Sequence, residues 1–242
     1  MEKTVKPYSE SGSKKTQVAN MFDNIARRYD FLNRLLSLGI DKIWRKKAID
    51  QLKKLQPKYI LDVATGTADV ALETARRLHP DKSIGLDISA EMLHFGREKV
   101  AKQGLAEVIE LVQGDSENLS FSDNTFDAIT VAFGVRNFEN LEKGLSEMNR
   151  VLKPGGKLVV LEFSKPRLFP FKQLFQFYFQ NILPIIGRWT SQDPRAYKYL
   201  FESVQVFPEG EQFLNILQKT GYKSSKCIPL TLGVCSIYTA EK

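Results

Sequence analysis

The segment Leu61-Asp62-Val63-Ala64-Thr65-Gly66-Thr67-Ala68-Asp69 is an apolar run that enters a small-residue turn and opens onto a helical stretch. A turn of this kind lets a ligand approach the backbone at a helix N-terminus. It holds a single glycine, Gly66, in place of a G-x-G-x-x-G, and Asp62 stands just before it. A carboxylate there repels a pyrophosphate and attracts an ammonium group. Asp87 follows Gly66 by twenty-one residues, at the end of the next apolar run. A carboxylate so placed can accept both hydroxyls of a ribose, while Ser89 suits the N-cap of the following helix better than Asp87 does. A third run ends in Gln113-Gly114-Asp115-Ser116, where the Asp115 carboxylate and a backbone N–H can meet an adenine edge. Three acidic strand ends in succession favour a cationic nucleoside cofactor such as S-adenosylmethionine over NAD. A plain strand-to-helix connection is the competing explanation of the turn alone.

A fourth run exits through Ala132-Phe133-Gly134-Val135-Arg136-Asn137. Arg136 and Asn137 stand where an acceptor meets a methyl donor, and both can hydrogen-bond a substrate oxygen; a surface salt bridge is the plainer reading of Arg136. The loop lacks the Asn/Asp-Pro-Pro-Tyr sequence that cradles an amino nitrogen, which favours an oxygen or carbon acceptor. The two histidines, His79 and His94, fall at the end of one helical stretch and inside another, poorly placed for proton transfer. Tyr29, Asp30, Asp115 and Glu162 are the remaining proton acceptors, and the sequence does not choose among them.

The elements that must position these residues follow from periodicity. Apolar residues from Asn20 to Leu55 recur at helical spacing and break around Ser37 to Gly39, predicting two helices. After Pro57, short apolar runs at Tyr59–Ala64, Ser83–Asp87, Val108–Gln113, Phe126–Phe133 and Gly156–Glu162 alternate with helical stretches near Asp69–His79, Ala90–Gln103 and Glu139–Leu152. That alternation predicts an α/β, doubly wound, mostly parallel sheet. A last helix, Glu209–Thr220, leads to two strands, Tyr222–Ile228 and Val234–Ala240, close enough in sequence to pair antiparallel. Between them and the fifth strand lies an aromatic insertion with Phe171, Phe175 and Phe179 on one helix face, flanked by Phe169, Leu174, Phe177, Tyr178, Ile182, Leu183, Ile185, Ile186 and Trp189. Such a helix packs on the sheet or on a partner subunit, or closes as a lid over an apolar substrate.

The 242 residues, 43% hydrophobic and 26% charged, are enough for one full α/β domain and exclude a disordered or disulfide-stapled chain. Cys227 and Cys235 have neither metal nor redox spacing, and the polar first residues lack a signal-peptide core, so a cytoplasmic protein is expected. Residues 1–58 hold fourteen Lys/Arg against six Asp/Glu, a balance of +8 that outweighs the whole chain's +7. Arg27, Arg28, Arg34, Lys42, Arg45, Lys46, Lys47, Lys53 and Lys54 can therefore face phosphate of lipid or nucleic acid, or form a solvated helix face.

At these residues the chain resembles the class I S-adenosylmethionine-dependent methyltransferases, and within them the ubiquinone/menaquinone biosynthesis C-methyltransferase family. Arg150-Val151-Leu152-Lys153-Pro154-Gly155-Gly156-Lys157-Leu158-Val159-Val160-Leu161-Glu162-Phe163-Ser164 matches one family signature throughout. Tyr29-Asp30-Phe31-Leu32-Asn33, with Ser37, Gly39 and Trp44, resembles a second, with Leu32 in place of the usual Met and Asp41 where His is frequent. Similarity continues through Phe133–Asn137 and Tyr197–Val204, and spans about residues 18–240.

The resemblance implies a Rossmann-like seven-stranded sheet with an antiparallel last strand, N-terminal helices and a helical insertion. It implies one structural domain, with a tail and basic helical cap over 1–57 and a methyltransferase domain over 58–242 that carries a lid at 166–207. Gly66, Thr67, Asp87, Asp115 and Ser116 would bind S-adenosylmethionine; Ala132 stands where many relatives have a contacting Ser. The reaction implied is C-methylation of a reduced polyprenyl quinone ring, demethylmenaquinol to menaquinol, with a ubiquinone precursor as the alternative. Arg136 would stabilise the developing oxyanion while Tyr29 and Asn137 orient the ring. A lipophilic quinol implies contact with a membrane surface, at its inner face, and a homo-oligomer is compatible with the apolar insertion. An RNA methyltransferase and a non-catalytic nucleoside-binding module compete; nucleic acid is not expected, because the aromatics do not interleave with the basic segment.

Overall fold

The computed structural model describes residues 5–8, 11–167, 169–177, 181 and 194–242. Two helices, α1 (Lys14–Leu36) and α2 (Ile40–Asp50), precede β1 (Tyr59–Val63). The chain then alternates through α3 (Asp69–Leu78), β2 (Lys82–Asp87), α4 (Ala90–Lys102), β3 (Ile109–Gln113), β4 (Phe126–Ala132), α5 (Leu141–Val151) and β5 (Leu152–Phe163). After β5 come α6 (Phe171–Phe177), α7 (Pro194–Val206), α8 (Glu211–Lys219), β6 (Lys223–Leu230) and β7 (Cys235–Glu241).

The seven strands lie in the order β3-β2-β1-β4-β5-β7-β6, with β1 to β5 parallel and β7 antiparallel to both its neighbours. From β1 the chain winds outward through β2 and β3, then returns to β4 on the other side. The crevice between β1 and β4 is thus the topological switch point, where ligands bind in open α/β sheets. The strands read as largely apolar runs because helices cover both faces; Ile60, Leu61 and Val63 are sealed from solvent. Each such side chain contributes about 1.5–3 kcal/mol on burial. The strands β6 and β7 form the expected hairpin, and Pro229 is tolerated in β6 because that strand is the sheet's edge.

The break expected at Ser37–Gly39 is present, with Leu38 and Gly39 both left-handed at φ 51° and 76°. The first helix, however, starts at Lys14, not near Asn20, because polar anchors hold its first turn. Lys14 Nζ donates to the carbonyls of Arg136 (3.0 Å) and Phe138 (2.8 Å), and its backbone N–H to Glu139 (2.8 Å). Further along, Asp23 accepts from Ser89 Oγ at 2.6 Å, and Asp30 accepts from Thr67 Oγ1 at 2.5 Å and Lys99 Nζ at 2.7 Å. Helix α1 is thereby strapped across the carboxyl edge of the sheet. Helix α2 ends at Asp50, short of Leu55, and β5 begins at Leu152, earlier than the expected Gly156. Within the aromatic insertion Phe175 is buried while Phe171, Leu174 and Phe177 remain exposed; Tyr178, Phe179, Ile182, Leu183, Ile185, Ile186 and Trp189 lie outside the described residues.

One charged residue corrects the phosphate-facing reading of the N-terminal segment. Arg45 is buried, donating to Asp41 at 2.7 Å and to Asp69 at 3.0 Å, so its charge is spent inside the molecule.

Candidate active site

The parallel register brings the four strand ends to one edge. Asp62 lies opposite Thr130 in the β1–β4 pairing, and that register explains its partners: Thr130 Oγ1 donates to one carboxylate oxygen at 2.7 Å and Thr65 Oγ1 to the other at 2.6 Å. Only 1% exposed, Asp62 sits beneath the turn rather than on the cavity wall, and burial pushes its carboxyl up to about 6 against the pull of the two hydroxyls. The turn above it takes left-handed backbone at Ala64, Gly66 and Ala68, a conformation that costs an alanine roughly 1 kcal/mol more than glycine.

Gly66, Asp87, Asp115 and Ser116 line a cavity at this edge, walled by the apolar side chains of Leu86 and Met92. Asp87 accepts from the backbone N–H groups of Gly66 (2.7 Å) and Ser89 (2.9 Å); burial raises its pKa and these donors oppose the rise. Ser89 caps α4 by accepting from the Met92 N–H at 3.1 Å, the division of labour expected from the sequence. Thr67 does not line the cavity; its hydroxyl is tied to Asp30. The donor set suits a cationic nucleoside: carboxylates for ribose and amino groups, apolar walls for a purine, and a negative charge beneath the turn. Free volume is only about 70 Å³, because α1 lays Lys15, Val18 and Phe22 over the site. Lys15 Nζ bridges Asp115 at 2.6 Å and Glu117 at 3.3 Å. Small-molecule pockets hold about 300 Å³ or more, so the space under these α1 side chains is smaller than a nucleoside needs.

A second cavity, about 410 Å³, lies beside the first and shares Phe22, Tyr29, Phe133 and Asn137 with it. Its floor is aromatic: Phe133 and Phe163 pack with centroids 4.7 Å apart, and Trp44 meets both, its Nε1 donating to Thr231 Oγ1 at 2.7 Å. Leu32 and Phe175 add to the wall, and the exposed Leu38, Leu174 and Leu232 form a rim. Asp41, which stands where histidine is frequent in the family it resembles, also borders this cavity, with Ser37 (2.6 Å) and Arg45 (2.7 Å) donating to its two oxygens.

Arg136 and Asn137 come together here. The surface salt bridge considered for Arg136 is instead a buried pair: Nη1 donates to Glu162 at 2.5 Å and to the Phe133 carbonyl at 2.6 Å, with 7% and 0% of the two side chains exposed. Burial raises the Glu162 pKa and Arg136 opposes it. Of the four proton acceptors offered by the sequence, only Tyr29 borders the acceptor cavity, and burial raises its phenol, keeping it protonated. Asp30 and Asp115 are held by lysines. Asp41, Trp44 and Phe163 border the acceptor cavity as well; the sequence offers them only as members of the two family signatures, with no role attached.

A model of the ubiE/COQ5 methyltransferase family matches residues 10–242. The chain belongs to that family. It is 52% identical over 241 residues to the demethylmenaquinone methyltransferase of Bacteroides fragilis, covering 100% of this chain and 98% of that one. It is 48% identical over 235 residues to the ubiquinone/menaquinone biosynthesis C-methyltransferase UbiE of Geotalea daltonii, covering 97% and 98%. Among solved structures, a SAM-dependent methyltransferase from Thermotoga maritima superposes with a TM-score of 0.65 at 17% identity, over 93% of this chain and 99% of that one. The phosphoethanolamine N-methyltransferase 2 of Haemonchus contortus, in complex with S-adenosyl-L-methionine, gives 0.58 at 17% identity, over 81% of this chain and 52% of that one. These two share the fold. Membership makes the chain an S-adenosylmethionine-dependent methyltransferase.

Proposed function

We propose that this enzyme methylates a ring carbon of a reduced polyprenyl quinone precursor, converting demethylmenaquinol to menaquinol. The observation that carries the reading is the wall common to the two cavities: Tyr29 and Asn137 border both the nucleoside-type site and the large aromatic-floored one. Gly66, Asp87, Asp115 and Ser116, above Asp62, would hold S-adenosylmethionine, which when bound supplies an electrophilic methyl group. The residues do the rest by position and charge. Tyr29 and Asn137 orient the ring, so that a ring carbon approaches the methyl in line. Arg136, fixed by Glu162, faces the ring oxygen and stabilises the negative charge it carries once its hydroxyl proton has left; that charge passes through the ring to the attacking carbon as the methyl's C–S bond breaks, and loss of the ring carbon's own proton to solvent restores the aromatic ring. Tyr29 acts as donor and wall, since burial keeps its phenol neutral.

The acceptor cavity fits a lipophilic substrate: its floor is aromatic, and its rim of Leu38, Leu174 and Leu232 gives a polyprenyl tail an apolar exit. No helix among the described residues is long and apolar enough to cross a membrane. We assign the rim to peripheral contact with the bilayer that holds the tail, at the cytoplasmic face, with the insertion over 166–207 as the lid and residues 1–57 as the cap.

The test is to incubate the protein with methyl-labelled S-adenosylmethionine and a lysate rich in reduced, demethylated quinones. Label that partitions into hexane supports the reading, and separating the products decides between menaquinone and ubiquinone precursors. Label that precipitates with RNA overturns it.

A further inference from the structure

Arg136 and Asn137 sit on a single 3-10 turn, Val135–Asn137, at the exit of β4. So short a turn leaves the carbonyls at its C-terminal end without partners of its own. Two of them, on Arg136 and Phe138, are met by one side chain from the other end of the chain: Lys14 Nζ donates to the first at 3.0 Å and to the second at 2.8 Å. Among the described residues no other donor reaches either carbonyl. The two bonds bracket Asn137, which lines both cavities.

Lys14 is buried, and its ammonium is answered by main-chain carbonyls rather than by a bonded carboxylate among the described residues. The charged groups that face it are Arg136 and Glu139 from the segment after β4 and Glu117 from the segment after β3; its neighbour Lys15 turns to Asp115 and Glu117. Burial, and then the like charge of Arg136, push the Lys14 pKa down to about 8, with Glu117 and Glu139 opposing. Burying one cation near another is costly. Fastening α1 does not require it, because Lys15, Asp23 and Asp30 hold the same helix at other points. The segment beyond the turn does not require it either: Glu117 accepts from the N–H groups of Glu139 (2.9 Å) and Asn140 (3.0 Å). The turn itself is what depends on the Lys14 ammonium.

We propose that Lys14 is a positioning residue for the methylation: its ammonium fixes the main chain on either side of Asn137, and with it the direction in which Asn137 and Arg136 meet the acceptor. The inference rests on the roles given to those two residues above. Charge-assisted hydrogen bonds are about twice as strong as neutral ones, so the clamp is tight while Lys14 is protonated and slackens when the proton leaves.

The experiment compares the full-length protein with Lys14→Met, which keeps the length of the side chain and removes its donor. Lys14→Gln takes its place should Lys14→Met not fold, and Arg136→Ala is run beside them. Turnover of a short-tailed demethylnaphthoquinol, kept reduced in detergent, is followed from about pH 6 to about pH 10, together with S-adenosylhomocysteine affinity and Tm. At neutral pH the Lys14 variant loses roughly tenfold to a hundredfold in kcat, the effect of a displaced group, while KM and S-adenosylhomocysteine affinity stay within about threefold. The ratio of wild-type to variant kcat is greatest in the acidic part of the range and shrinks as pH rises through about 8, where wild-type Lys14 discharges. Titration of the quinol acts on both proteins and cancels in that ratio. Equal kcat in wild type and variant, with Arg136→Ala inactive, overturns the proposal and leaves the quinol reading standing. A kcat ratio that does not change with pH also overturns it, in favour of a role in folding alone. Full kcat in Arg136→Ala removes the role on which the inference rests, and absence of quinol turnover in the wild type overturns both readings.

Discussion

Arg136 and Glu162 are each other's counter-charge in a place water does not reach, so a substitution at either one alters stability as well as chemistry. Arg136→Ala leaves a buried carboxylate unpaired, and removing one partner of such a pair costs about 3–5 kcal/mol. Urea unfolding at pH 7 is expected to show that loss, while Arg136→Ala/Glu162→Gln recovers most of it and remains inactive; an active double variant removes Arg136 from the mechanism. Asp62 yields a pH prediction. Its carboxyl titrates at about 6 in the folded chain, above its ordinary value. Its contribution to stability is therefore full below about pH 4 and is lost as pH rises through 6. Ligand binding runs the other way, since an ammonium group favours the ionised form. S-adenosylhomocysteine, which keeps that ammonium, should bind progressively more weakly below pH 6, approaching tenfold per pH unit. Titration calorimetry across pH 5–8 should show this slope for the wild type and a flat, weakened profile for Asp62→Asn.

Helix α1 decides whether the cofactor site is open. Lys14, Asp23 and Asp30 fasten it to the sheet's carboxyl edge, while Lys15, Val18 and Phe22 fill the space a nucleoside needs. A bound cofactor wedged under this helix adds contacts along its length, so amide exchange in residues 14–36 should slow on adding S-adenosylhomocysteine. Lys15→Ala, which releases Asp115, should bind S-adenosylhomocysteine about threefold more tightly, as expected for removing a weak competing ion pair. Unchanged exchange in α1 would contradict the strap. The sequence reveals β1 to β5 well, because parallel strands buried on both faces stand out as apolar runs between turns. It also reveals Asp87 and Asp115, whose place at strand ends follows from that reading alone. It hides the first turns of α1, where Lys14 is buried by hydrogen bonds to Arg136 and Phe138, more than a hundred residues away.

At the scale of the whole molecule, the basic excess divides into charge spent inside and charge left at the surface. Arg45 is consumed in pairs with the buried Asp41 and the half-buried Asp69, and Lys15 in the bridge over the cofactor site. Arg34, Lys42, Lys46 and Lys172 stay exposed, on the same elements or next to the same turn as the exposed Phe31, Leu38, Ile43 and Leu174. Leu38 is the extreme case, 82% exposed and left-handed, on the rim of the acceptor cavity. Water tolerates such a residue poorly, whereas an anionic bilayer rewards both the apolar rim and the flanking cations, each cation near the surface adding about 1 kcal/mol. Vesicles containing phosphatidylglycerol should therefore bind the protein at low salt and release it as salt rises. Leu38→Asp adds a charge where the rim would enter the lipid without touching a buried partner. It should weaken vesicle binding at least tenfold and lower turnover of a long-tailed quinol in vesicles, with turnover of a short-tailed quinol in solution unchanged. Equal vesicle binding by Leu38→Asp would place the bilayer on another face; loss of turnover on both quinols would make Leu38 part of the cavity's own architecture.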